Sequence, residues 1–157
     1  YELHRILEPV VEAVAAEGRG RGVLVGYGRL ERDVTAPVDG QKLRQVFANV
    51  MKNALEAIEP RRKAGRVTVD LFAEGERAVV EVADDGKGIA PEDRDRIFLP
   101  FFTTKPSGTG LGMSIVKKIV DLHGGEIAIE SAPGSGTRVR ISLPAVPVPH
   151  PLAGGAP

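Results

Sequence analysis

The side chains of this chain best suited to chemistry begin with a pair of asparagines one helical turn apart, Asn49 and Asn53. Around them Leu43, Val46, Phe47, Val50, Met51, Ala54, Leu55 and Ile58 recur at intervals of three and four, which predicts an amphipathic helix from Gly40 to Glu59. Gln45, Asn49, Lys52, Asn53 and Glu56 share the opposite face. A polar stripe is ordinarily a solvated helix surface. Asparagine, however, competes for backbone partners and costs up to ~0.7 kcal/mol against alanine in a helix, so two of them in mid-helix ask for a local use. An amide oxygen is a hard, neutral donor, fit for one corner of a magnesium octahedron completed by phosphate oxygens and water.

A second constellation is Ala83-Asp84-Asp85-Gly86-Lys87-Gly88-Ile89, directly after an apolar stretch that reads as a strand. Alone, it is an ordinary Asp-Gly turn. Beside the asparagine helix it has another use, because a carboxylate at the bottom of a pocket accepts a hydrogen bond from the adenine amino group and repels the guanine carbonyl. A third is Gly108-Thr109-Gly110-Leu111-Gly112 leading into a helix, where unpaired N–H groups and the helix dipole favour phosphate. It is neither a Walker sequence nor a Rossmann fingerprint. Upstream stand Phe98, Phe101 and Phe102, then Thr103, Thr104 and Lys105. The hydroxyls and the cation suit a lid closing over a triphosphate, or a solvated loop.

The elements that must position these groups follow from periodicity. Leu3, Ile6, Leu7, Val10, Val11 and Val14 predict a first helix, whose regularity Pro9 limits. A Gly18 to Gly22 turn ends it, and strands are expected at Val23 to Tyr27 and, briefly, Asp33 to Thr35. Val67 to Ala73 and Ala78 to Ala83 read as a hairpin joined through Glu74-Gly75-Glu76. A short helix should start at Pro91 and run out near Phe98. Another, from Gly110, is ended by Gly124-Gly125, with His123 placed to meet the free carbonyls at its end. Glu126 to Glu130 and Thr137 to Leu143 are the last strands. Val139, Ile141 and Leu143 alternate with Arg138, Arg140 and Ser142, so one face of the sheet should be wet. The fold class expected is α+β, a two-layer sandwich with helices on one face of a mixed, mostly antiparallel sheet. One domain over 1–144 and a Pro/Gly-rich flexible tail over 145–157 account for the length.

Composition narrows the partners. Lys plus Arg and Asp plus Glu number 21 each, so no global field points to nucleic acid or to a membrane surface. The absence of cysteine removes disulfides, thiolate metal sites and thiol catalysis and fits a cytoplasmic location. No apolar run approaches the roughly 20 residues of a membrane span, so direct membrane contact is not expected and any anchor would lie elsewhere in a parent protein. The start at Tyr1 suggests an excised piece.

In this order the motifs resemble the GHKL superfamily of Bergerat-fold ATP-binding domains, and within it the catalytic domains of sensor histidine kinases. Asn49-Val50-Met51-Lys52-Asn53-Ala54 resembles the N box, Asp84-Asp85-Gly86-Lys87-Gly88-Ile89 the first glycine box, Ile97-Phe98-Leu99-Pro100-Phe101-Phe102-Thr103-Thr104-Lys105 the F box, and Gly108-Thr109-Gly110-Leu111-Gly112-Met113 the second glycine box. Gly134-Ser135-Gly136-Thr137 fits the last turn. The resemblance implies that Asn53 coordinates Mg²⁺, that Asp84 binds the adenine amino group with Thr137 beside it, and that the lid with Gly108 to Gly112 holds the phosphates of ATP. Catalysis would fall to Asn49, Asn53 and Lys105. The nucleotide would lie among Asn49, Lys52, Asn53, Glu56, Ala57, Asp84, Gly86, Lys87, Gly88, Ile89, Thr103, Thr104, Lys105, Gly108, Thr109, Gly110, Leu111, Gly112, Met113 and Thr137.

Relatives that hydrolyse ATP usually carry a Glu one turn before the metal asparagine, and here that position is Asn49. A bound water then lacks an obvious base, which favours transfer to another acceptor. The alternatives are a nucleotide-binding module, an ATPase or a serine kinase in which ATP acts as a conformational switch. His4-Arg5-Ile6-Leu7-Glu8-Pro9 faintly echoes the acceptor sequence of histidine kinases, but too little chain separates it from Asn49 for a return helix, and Arg5 stands where an acid belongs. The acceptor is therefore expected on a separate dimerisation and phosphotransfer helical domain of the parent, with a response-regulator receiver domain downstream and the isolated chain monomeric.

Overall fold

The computed structural model describes residues 1–58, 65–100 and 112–145. Along the chain run α1 (Leu3–Arg19), β1 (Val23–Leu30), α2 (Gly40–Ala57), β2 (Gly65–Glu74), β3 (Arg77–Asp84), α3 (Pro91–Arg94), α4 (Gly112–Leu122), β4 (Glu126–Ser131) and β5 (Thr137–Pro144). The strands form one sheet in the order β1-β2-β3-β5-β4. Only β1 and β2 are parallel, joined by a crossover through α2, and the remaining pairs are antiparallel.

The two-residue side-chain period of the strands decides where the core lies. Val67, Val69 and Leu71 of β2, Val80 and Val82 of β3, and Val139, Ile141 and Leu143 of β5 turn to one face, where they meet the apolar stripes of α1, α2 and α4. Phe47, Leu43, Met51 and Leu55 of α2 are fully enclosed there. The α+β two-layer sandwich expected from periodicity is thus the observed architecture.

Four local expectations need correction. α1 runs unbroken through Pro9, because the burial of Leu3, Ile6, Leu7, Val10, Val11 and Val14 outweighs the ~3 kcal/mol cost of an interior proline. The strand at 33–35 reduces to a single bridge between Thr35 and Glu2, flanked by Leu3 N–H to Val34 O and Ala36 N–H to Tyr1 O, both 3.1 Å. The helix from Pro91 covers only Pro91–Arg94 and passes into turns. The outer sheet face is polar yet not uniformly wet. Arg140 spans Glu81 (2.8 Å) and Glu74 (2.7 Å), Arg77 bonds Ser142, and Arg29 and Arg140 lie over the Phe72 ring. Glu81 and Ser142 are left only 8% and 9% exposed. Of the expected tail, everything beyond Ala145 lies outside the described residues.

Candidate functional site

α2 is held at both ends, and those two anchorages shape the site. At its start Asp39 caps the helix, accepting a 3.1 Å hydrogen bond from the Lys42 N–H, which satisfies one of the orphan donors of the first turn. The Asp39 N–H in turn donates to Nε2 of His123 at 3.0 Å. That bond needs the Nε2 lone pair, so the imidazole proton sits on Nδ1, 2.8 Å from the Ile119 carbonyl that accepts it. His123 therefore meets a carbonyl at the end of α4, though not a free one, since the same oxygen also accepts the His123 backbone N–H at 3.2 Å, and the ring also ties that end to the start of α2. Gly124, at φ +68°, completes the helix stop: Gly124 N–H bonds Asp121 O and Gly125 N–H bonds Val120 O, both 3.0 Å.

At the other end of α2 the glycine turn after β3 docks on the helix terminus. Lys87 N–H donates to the Ala57 carbonyl at 3.0 Å, one of the carbonyls the helix leaves unpaired. Gly86 is required by that approach, since a Cβ there would stand 2.5 Å from Ala57 O. The turn is also locked to the β4–β5 connection. Gly134 N–H donates to Lys87 O at 2.8 Å, and a side chain on Gly136, at φ +79°, would strike the Asp84 carbonyl. The same holds for Gly88, at φ +75°, against Ala132 O.

The two aspartates of the turn have different work. Asp85 is spent on the fold: its Oδ1 accepts from Arg66 N–H at 2.9 Å, tying the turn to β2. Asp84 remains at the end of β3, half-buried. Desolvation pushes its carboxyl from 3.8 up to about 6, opposed by hydrogen bonds from the Gly86 and Thr137 N–H groups and aided by the Asp85 charge. The Gly86 bond is 2.9 Å long, and Thr137 faces Asp84 in the β3–β5 register.

Asn49 and Asn53 are both half-buried on α2, and Lys52 and Glu56 are exposed beside them. Gly112, the first residue of α4, lies against Asn49, with its Cβ position 3.9 Å from Asn49 Cγ. Met113 packs on the core. Ile89 and Ala57 are half-buried and Lys87 is exposed. The structure thus brings the asparagine helix, the acidic turn, Thr137 and the start of α4 together around one end of the sheet. Thr103, Thr104, Lys105, Gly108, Thr109, Gly110 and Leu111 lie outside the described residues. Two contributors escaped the sequence reading. Arg94 donates to the Ser131 carbonyl, and the Ser131 hydroxyl receives the Ile89 N–H at 2.7 Å. Only the hairpin register, which sets Ser131 opposite Thr137, could have pointed to it. His4 is 9% exposed within the packed face of α1.

An asparagine-bearing helix whose end receives a glycine turn, beside a mixed sheet, is a recognisable arrangement, and comparison with known proteins identifies it. Residues 38–147 match the family described as Histidine kinase-, DNA gyrase B-, and HSP90-like ATPase, and the chain belongs to that family. Sporulation kinase D of Bacillus subtilis (strain 168) is 38% identical over 143 residues, 90% of this chain and 28% of that protein. The sensor histidine kinase ZraS of Salmonella typhi is 35% identical over 145 residues, 92% of this chain and 30% of that protein. The chain therefore spans less than a third of these curated relatives. Among solved structures, the catalytic domain of histidine kinase ThkA superposes with a TM-score of 0.81 at 29% identity, covering 92% of this chain and 93% of that one. Full-length ShkA in complex with AMPPNP superposes with a TM-score of 0.83 at 28% identity, covering 96% of this chain and 32% of that one. The chain is an ATP-binding catalytic domain of the sensor histidine kinase type. None of the helices among the described residues is long and apolar enough to cross a membrane.

Proposed function

We propose that the domain binds Mg-ATP at this end of the sheet and delivers the γ-phosphoryl group to a histidine on a separate helical dimerisation domain of its parent, for relay to a response-regulator aspartate. The observation that carries the reading is the division of labour in the acidic turn: Asp85 is consumed by Arg66, whereas Asp84 stands half-buried beside Thr137, below the docked glycine turn. A carboxylate so placed accepts from an adenine amino group and opposes a guanine carbonyl.

Asn53 fits a magnesium site in its donor chemistry, since Mg²⁺ keeps several waters and relies on nucleotide phosphates for its charge balance, leaving the protein to supply a neutral oxygen. Bound there, the ion would neutralise charge developing between the β- and γ-phosphates. Asn49, against the start of α4, would orient the triphosphate. Thr103, Thr104, Lys105 and Gly108 to Gly112 would close over it. Since position 49 carries an amide and not a carboxylate, no base stands there to activate water, and the acceptor nitrogen takes the phosphoryl group as the bond to the β–γ bridging oxygen breaks and ADP leaves. The whole reaction runs in the cytoplasm.

The test mixes the chain with its parent's helical hairpin domain and γ-labelled ATP. Acid-labile phosphohistidine should form with the wild type and not with Asn53→Ala, whose magnesium-dependent nucleotide affinity should also fall. Label released only as inorganic phosphate, or an unchanged Asn53→Ala titration, would remove the assignment.

A further inference from the structure

Ser131 closes β4, and across the β4–β5 ladder it faces Thr137, which in turn faces Asp84 across β3–β5. Its hydroxyl joins segments far apart in sequence. Ile89 N–H donates to Ser131 Oγ over 2.7 Å, Ser131 Oγ donates to the Gly136 carbonyl over 3.0 Å, and Thr137 Oγ1 lies 2.9 Å from it. A serine hydroxyl has one proton and two lone pairs. With the proton given to Gly136 and one lone pair to Ile89, only the second lone pair is left for Thr137, so the Thr137 hydroxyl is the donor in that contact. Thr137 Oγ1 then has acceptor capacity alone to offer elsewhere. Its backbone faces Asp84 across the β3–β5 ladder, and its N–H works against the rise in the Asp84 carboxyl's pKa. Two acceptors are thereby fixed side by side, and Arg94, donating to the Ser131 carbonyl, steadies the residue that fixes them.

We infer that Ser131 is a positioning and specificity-determining residue for purine recognition: its hydroxyl pins the glycine turn at Ile89 and turns the Thr137 proton away, so that Thr137 joins Asp84 in an acceptor-only edge that accepts an amino group and rejects a carbonyl. This rests on the placement of the purine at Asp84 proposed above. Ser131 itself need not touch the nucleotide.

The experiment uses the 157-residue chain and four variants, Ser131→Ala, Ser131→Thr, Thr137→Val and Asp84→Asn. Each is titrated with the non-hydrolysable Mg-ATP and Mg-GTP analogues AMPPNP and GMPPNP by calorimetry, and Ile89 amide exchange is followed by NMR without nucleotide. Ser131→Ala should reduce the ATP-over-GTP preference about tenfold, as expected for one lost pocket hydrogen bond, and should speed Ile89 exchange. Ser131→Thr, which keeps the hydroxyl, should preserve both. Thr137→Val should cost a similar share of the preference while leaving Ile89 protected, and serves as the decisive variant if Ser131→Ala does not fold. A merely structural serine would lower the melting temperature and leave the preference intact, and that result, or equal damage from Ser131→Thr and Ser131→Ala, overturns the inference. If Asp84→Asn also leaves the preference unchanged, the purine placement itself fails. If Asp84→Asn abolishes it and neither Ser131→Ala nor Thr137→Val alters it, the placement stands and the role of Ser131 is refuted.

Discussion

Acidification should separate two properties of this domain that usually fall together, nucleotide affinity and stability. The Asp84 carboxyl is raised from 3.8 to about 6, chiefly by burial, and the proposed contact with the adenine amino group needs its ionised form. With a midpoint near 6, about 97% of the carboxyls are ionised at pH 7.5 and about one in eleven at pH 5, so affinity should fall roughly tenfold, or ~1.4 kcal/mol. Stability responds with the opposite sign. The folded state holds this proton more tightly than the unfolded state between pH 3.8 and about 6, so the penalty for burying the charge is present above pH 6. It is relieved as the pH falls through that value and vanishes below 3.8, where both states are protonated. The terminal phosphate of the nucleotide also titrates near this range, and the comparison is therefore made as the ratio of wild-type to Asp84→Asn affinity, in which that effect cancels. Calorimetric titration from pH 5 to 7.5 at fixed free magnesium should show the wild-type advantage shrinking about tenfold. The amide, which carries a donor, should also weaken the bias against GTP. A ratio independent of pH would refute the reasoning.

The other predictions address the anchorages around the site. Gly86→Ala brings a Cβ within 2.5 Å of the Ala57 carbonyl, a backbone clash that should cost about 1–3 kcal/mol in urea unfolding and weaken nucleotide binding by undocking the turn; wild-type stability and affinity would disprove the docking. His123→Ala removes the link between Asp39 N–H and Ile119 O and should cost about 1–2 kcal/mol, a drop of roughly 2–8 °C in melting temperature at this chain length. An unchanged melting temperature would show that the two helices do not depend on it. Phe47, fully buried under α2, should cost about 3–5 kcal/mol on truncation to alanine, and a smaller loss in denaturant titration would mean the cavity collapses.

Local pattern carried the site further than it carried the sheet. The apolar stripe of α2 and its asparagines could be read because a helix repeats within four residues and writes both faces into one segment. The β2–β3 hairpin was equally legible, its partners being neighbours. The parallel pairing of β1 with β2 and the return of β5 beside β3 were not, because they join segments separated by helices and depend on which faces pack together. The same limit hid the difference between Asp84 and Asp85. They are adjacent in sequence, and what separates them is the Arg66 backbone, brought alongside by β2, which engages Asp85. Pro9 misled for the converse reason: its local cost is real, and the core beneath α1 overrides it.

The glycine turns at the two ends of β3 differ in how tightly they are packed. Gly86, Gly88 and Gly136 are wedged against backbone at the end of β3 that carries Asp84, whereas Gly75, in the turn at the opposite end of the same strand, has nothing within 4 Å of where a side chain would stand. Extra residues spliced after Gly75, such as a fluorescent reporter or an affinity tag, would emerge into open water a full strand length from Asp84. The same insertion between Asp84 and Gly88 would pry apart three interlocked segments. Engineers wishing to watch this domain at work have the Gly75 turn to use and the Asp84–Gly88 turn to leave alone.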